Sequence, residues 1–122
     1  MNKYAATGLA IAAAAGKQVL IVSSSRNIAM QALDDFERLE ADIPGSRVSR
    51  VNGKERIEYI SGGSIRFESH RSNLRGLSAD IVFIDWDVET SFRASKDSGY
   101  LEFYDELRHV IVAVPGGEII RA

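Results

Sequence analysis

The chain of 122 residues contains no cysteine, which excludes disulfides and thiolate metal centres and fits a reducing compartment. Histidine is almost as scarce: His70 and His109 stand far apart without paired ligands, so an imidazole metal site is not expected. No charge sign dominates. Fifteen basic against seventeen acidic side chains leave a net charge of −2, which excludes a global pull toward nucleic acid or anionic membrane and requires any polyanion contact to be local. No stretch approaches the ~20 apolar residues that span a bilayer. The opening "MNKYAATGLAIAAAAGKQ" carries a lysine near its start and an A-x-A pattern, but alanine is too weakly hydrophobic for an export leader, and the segment runs straight into a buried strand. A cytoplasmic protein is therefore expected. What is present is ordinary for a globular fold, at 45% apolar and 26% charged residues. The length suits a single domain over 1–122, marginal for a complete five-stranded mononucleotide fold.

Periodicity divides the chain into alternating elements. Ala5 to Ala15 reads as an alanine-rich helix closed by Gly16. "QVLIVS", Gln18 to Ser23, is a buried strand that opens into "SSS", a turn suited to capping the next helix. From Arg26 to Leu39, Ile28, Ala32, Leu33, Phe36 and Leu39 fall near helical spacing with acids and bases on the other face, an amphipathic crossover helix. Between Arg47 and Ser69 the period changes to alternation, with Asn52-Gly53 and Gly62-Gly63 as turns, so "ERIEYISGGSIRFES" is expected to be a hairpin. A loop from Ser69 to Ser78 leads to "IVFI", Ile81 to Ile84, a fully buried strand ending in Asp85. Tyr100 to Arg108 reads as helix and "HVIVAVPGG" as a last buried strand, Val110 to Val114. The order predicts an α/β fold with a mainly parallel sheet, flanking helices and a small β-hairpin insertion.

A strand that delivers an aspartate to a sheet edge is how a magnesium-holding carboxylate is presented in nucleotide hydrolases. The surrounding residues sharpen this. Gly63-Ser64-Ile65-Arg66-Phe67, then Arg75-Gly76, then Ser78-Ala79-Asp80 before Asp85 resemble the ATPase domain of the large subunit of phage terminases, the DNA-packaging motors. "GKQVLIVSSSRNIAMQAL" is similar to that family's second strand and following helix, and "VIVAVPGG" to its coupling strand. The resemblance covers about Tyr4 to Glu118 and implies a partial P-loop NTPase (RecA-like) core, with ATP and magnesium as ligands that are not expected to bind tightly, and the host cytoplasm as location.

Two departures from the family pattern carry the functional expectation. The family's glycine-rich phosphate loop ends in Gly-Lys-Ser or Gly-Lys-Thr, where this sequence has Asn2-Lys3-Tyr4, leaving Lys3 as the one counterpart for nucleotide binding. The position after Asp85, where the family carries a water-orienting glutamate, is Trp86. A terminase-like domain that is inactive alone and acts through a motor subunit or DNA is therefore expected. The enzyme alternative is a nucleoside triphosphatase or helicase-like subunit whose phosphate loop comes from another chain, with Asp85 on magnesium, Asp87 as general base and Arg75 as arginine finger, Arg71 being the other loop arginine that the resemblance makes a candidate. Asp87 and Glu89 reach the side of Asp85 if the chain stays extended, and are otherwise solvated loop acids. The third reading is a structural scaffold without a nucleotide role. Arg66, Arg71 and Arg75 belong to a local basic excess that would track a DNA backbone, diluted by Glu55, Glu58 and Glu68. Because the family's phosphate-loop strand has no counterpart here, Val110 to Val114 is expected to form an open sheet edge, covered either by the terminal "EIIRA" folding back after Pro115-Gly116-Gly117 or by a second copy; because Ile119 to Ala122 is too short to cover the strand, a homodimer is expected.

Overall fold

The computed structural model describes residues 3–39, 46–51, 53–72, 74, 76–94, 99–111 and 117–121. In chain order the elements are α1 (Lys3–Ala14), β1 (Gln18–Ser23), α2 (Arg26–Leu39), β2 (Arg47–Ser49), β3 (Arg56–Glu58), β4 (Ser64–Ser69), β5 (Ile81–Ile84), α3 (Trp86–Ala94), α4 (Tyr100–Ile111) and β6 (Glu118–Arg121). The protein is α/β. Six strands among the described residues form one sheet in the order β2-β3-β4-β1-β5-β6. Strands β4, β1, β5 and β6 are mutually parallel, whereas β2 and β3 join antiparallel. The sheet is thus mixed: four strands run parallel as expected, and the expected hairpin, β3 with β4, joins them through β4 and carries β2 at the outer edge. No helix among the described residues is long and apolar enough to cross a membrane.

Strand alternation sends successive side chains to opposite faces, and each face has its own core. Val19, Ile21, Ile65, Phe67 and Phe83 pack under α1 and α2, where Phe36 meets Phe67 edge to face at 5.5 Å. Leu20, Val22, Val82 and Ile84 pack on the other face against Leu74, Val88 and Phe92, with Phe103, Leu107 and Val110 of α4. That spacing of four and three residues explains a correction. The β-branched run at Val110 reads locally as strand, but Val110 completes the buried stripe of α4, and Val110 and Ile111 are its last residues. Residues 112–114 lie outside the described part. The strand beside β5 is instead β6, with Val82 opposite Ile119 and Phe83 opposite Ile120, and Val110 and Ile111, being helical, form no sheet edge.

The amino edge of the sheet is tightly locked. Gly16, at φ +107°, turns the chain out of α1 while its N–H and that of Lys17 cap the helix on Ala13 and Ala12 carbonyls. Asp80 accepts the Gln18 N–H at 2.7 Å, donates its own N–H to the Gln18 carbonyl at 2.8 Å, and receives Glu118 N–H on its carbonyl. Gly63 lies directly beneath the last turn of α1. A 12-residue helix rises about 18 Å, nearly the length of β1, so α1 runs back along the sheet and begins at the carboxyl edge.

Candidate functional site at the carboxyl edge

At the carboxyl edge, β1 continues into α2 on one face, while β5 continues into α3 on the other. Connections that diverge in this way open a crevice outside the strand ends, the place where parallel α/β sheets hold ligands. The alternation that puts Ile21, Phe67 and Phe83 on the α1/α2 side puts Ser23, Ser69 and Asp85, two residues further along, on that side too.

Asp85 is 5% exposed. Its N–H still pairs with the Val22 carbonyl in continuation of the strand, while its own carbonyl takes the Val88 N–H and its Oδ1 the Trp86 N–H at 2.9 Å. It is thus the cap of α3. Burial pushes its carboxyl above the ordinary range; the Trp86 N–H opposes that shift and the charge of Asp87 adds to it. Trp86, the position where the motor family orients water, is the first residue of α3 and is 65% exposed.

The helix corrects the expectation for the following acids. Asp87 and Glu89 lie neither on an extended chain nor in a loop but in the first turn of α3. Asp87 Oδ2 accepts the Ser24 hydroxyl at 2.7 Å, and its Oδ1 is buried without a hydrogen-bond partner. Glu89 faces away, bridging Arg93 and Arg121 at 2.8 Å each. Ser23, fully buried, also leaves its hydroxyl unpartnered. Sequence reasoning missed the Ser24–Asp87 contact because 63 residues separate the pair; it took the serine turn for a helix cap, a role that Ser25 fills by accepting the Ile28 N–H at 3.2 Å.

Beside these carboxylates lies a cleft of about 480 Å³ lined by Ser24, Ser25, Arg26, Ser69, Arg71, Ser72 and Ser91. It adjoins a larger open groove of about 980 Å³, bordered by Arg71 and Ser91 as well, whose floor includes Leu74, Phe92 and Phe103. His70 and His109, which the sequence set far apart, line that same groove, with His70 against the Phe92 ring at 4.7 Å. Among the described residues, no three histidine, aspartate or glutamate side chains form a group suited to a metal.

Several of the basic residues are paired with acids. Arg66 is on β4, its Nε donating to Glu68 at 2.9 Å; Arg56 pairs with Glu58 at 2.6 Å, and Arg26 with buried Glu55. The glutamates that interleave the basic segment are therefore its direct partners. Burial raises the Glu55 carboxyl, but the Arg26 hydrogen bond and two backbone N–H groups outweigh this and hold it below its ordinary value. Arg71 is exposed in the loop after β4 and forms no ion pair among the described residues. Lys3 opens α1 with its ammonium 5.3 Å from the Tyr4 ring centre. Arg75 lies outside the described residues. The sequence matches no known protein-family model and no curated protein.

Proposed function

We propose that the protein is a terminase-like domain derived from a nucleotide motor, which does not turn over ATP alone and acts by assembly with a motor subunit or with DNA. The observation that carries this reading is the carboxyl edge itself: Asp85 stands buried at the end of a parallel strand next to β1. In nucleotide motors that edge holds magnesium and phosphate. If a nucleotide binds, Asp85 would hold its magnesium and Lys3, at the start of α1, would meet its phosphates. Asp87 is a poor general base, since one of its oxygens is engaged by Ser24 and the other is buried. With Trp86 in the water-orienting position, and no glycine-rich Lys-Ser or Lys-Thr loop within the 122 residues, both charge stabilisation and nucleophile positioning are missing from these residues. A further strand, from a partner or a second copy, would add along the outer edge of β6.

The test is ATP hydrolysis by the purified chain with magnesium, alongside tryptophan fluorescence of Trp86 as nucleotide is titrated. Background hydrolysis is expected. A turnover of about 1 per second that vanishes in Asp85→Ala would overturn the reading and favour an active enzyme.

A further inference from the structure

The cleft at the end of β4 is lined by hydroxyls and guanidiniums, and the neighbouring Asp87 is engaged by the Ser24 hydroxyl. The state of each hydroxyl decides what it can bind. Ser25 Oγ accepts the Ile28 N–H and Ser69 Oγ accepts the Arg71 N–H at 3.1 Å, so each keeps its own proton to donate. Ser72 and Ser91 add two more hydroxyls. Arg71 brings a full positive charge, and Arg26, although paired with Glu55, keeps a half-exposed guanidinium on the cleft wall. α2 starts here without an acidic residue in its first turn, so its positive end is not neutralised from within the helix. Neutral hydroxyl donors, a fixed fork of guanidinium N–H groups and a helix amino end, all lining one cleft, together match a tetrahedral oxyanion.

The neighbouring groove adds selectivity. Next to Arg71 and Ser91 the floor becomes apolar and aromatic, through Leu74, Phe92 and Phe103, and the far rim carries Glu102, Asp105 and Glu106. Those carboxylates oppose a second anionic group on the same ligand. A polyanion laid along the groove would meet them, whereas a ligand with one charged head and an apolar body would not.

We infer that this cleft is a binding site for a phosphate monoester with an aromatic or apolar body, its phosphoryl group held by Ser25, Ser69, Ser72, Ser91 and Arg71 and its body lying over Leu74, Phe92 and Phe103. The inference stands apart from the nucleotide-motor reading, because Asp85 is not part of the cleft. The two fail separately: ATP turnover tests one, phosphate binding the other.

The experiment is a titration of the full chain, labelled with nitrogen-15, with phenyl phosphate, inorganic phosphate and a short single-stranded oligonucleotide in turn. Phenyl phosphate is expected to bind at least about tenfold tighter than inorganic phosphate, with amide shifts centred on 24–26, 69–72 and Ser91. Arg71→Ala removes the charge-assisted donor and is expected to weaken phenyl phosphate about tenfold or more. Ser91→Glu, which sets a carboxylate into the lining, is expected to abolish binding; if circular dichroism shows one variant unfolded, the other decides. Absence of binding at millimolar phenyl phosphate overturns the inference. So does equal affinity for inorganic phosphate, preference for the oligonucleotide, or affinity unchanged in the folded variants.

Discussion

Gly63→Ala adds one methyl group in the turn before β4, and the packing there lets its cost be worked out. The Cβ would stand 1.8 Å from the Ala13 carbonyl oxygen, 2.8 Å from its carbon and 3.0 Å from the Lys17 oxygen. All three atoms are backbone, so no side chain can swing aside. The Ala13 oxygen also accepts the Gly16 N–H at 3.0 Å and the Ser61 hydroxyl at 3.3 Å; moving the end of α1 by the ångström or more required strains both. Gly63 is not among the glycines at positive φ, so the backbone itself accepts alanine and the reduced freedom of the unfolded chain returns about 0.5–1 kcal/mol. Against this, overpacking costs about 3 kcal/mol or more when the obstacle is rigid. The net loss of about 2–3 kcal/mol corresponds to a fall of about 8–12 °C in Tm for a domain of this size. Gly8 is the internal control: it is exposed on α1 with nothing within 4 Å of a built Cβ, so Gly8→Ala is expected to stabilise by about 0.5–1 kcal/mol. Thermal melts followed by circular dichroism measure both. A Gly63→Ala protein that melts within about 2 °C of the wild type would refute the packing argument.

Asp85→Asn is expected to raise Tm at neutral pH while keeping the acceptor for Trp86. Because the Asp85 carboxyl is raised in the fold, the native state holds its proton longer than the unfolded chain; stability is spared below the unfolded pKa and declines as pH rises through the folded one. Melts from pH 3 to 8 should lose that decline in the variant, and an unchanged profile would refute the assignment. Glu55 has the opposite sign: its lowered carboxyl stabilises above the unfolded pKa and loses that as pH falls through the folded one. Glu55→Gln is expected to cost about 1–2 kcal/mol at pH 7, read by urea denaturation, and no loss would show that the Arg26 pair contributes nothing. DNA binding is expected to be weak and to fall steeply between low and physiological salt, since Arg26, Arg56 and Arg66 are each already paired with a carboxylate; salt-independent affinity would contradict an electrostatic contact.

Elements with a strong period were legible from the sequence. α2 occupies Arg26–Leu39 as its amphipathic pattern requires, and β1 and β5 match their apolar runs. α3 was not expected from the sequence, where Asp85 as a strand end leaves the next residues as loop, yet a signal existed: Asp85 as cap, Asp87 and Glu89 in the first turn and Arg93 in the last complement the helix dipole. At Val110 local β propensity lost to the helical period of Phe103 and Leu107. The motif residues around Asp80 and Gly63 were conspicuous in sequence, and here their contacts are architectural, tying strand ends and packing α1. The serine cleft was not legible. It draws on β4, the start of α2 and α3, which only the sheet order brings together.

The position of β1 in the middle of the sheet also governs how the chain gets there. Its two neighbours come from far along the polypeptide: the Gln18 end meets Ser64 across 46 residues and Asp80 across 62. Pairings of such separation require large loops to close before any ladder bond forms, which slows folding toward the millisecond-to-second range. Until then "VLIV" is an unpaired apolar strand, the kind of segment that recruits other chains. The adjoining helices are local and fast by comparison. By folding against Val19 and Ile21 early, α1 and α2 can shield one face of β1 while it waits for β4 and β5, so the alanine-rich opening helix acts as an internal guard against aggregation as well as a layer of the finished core.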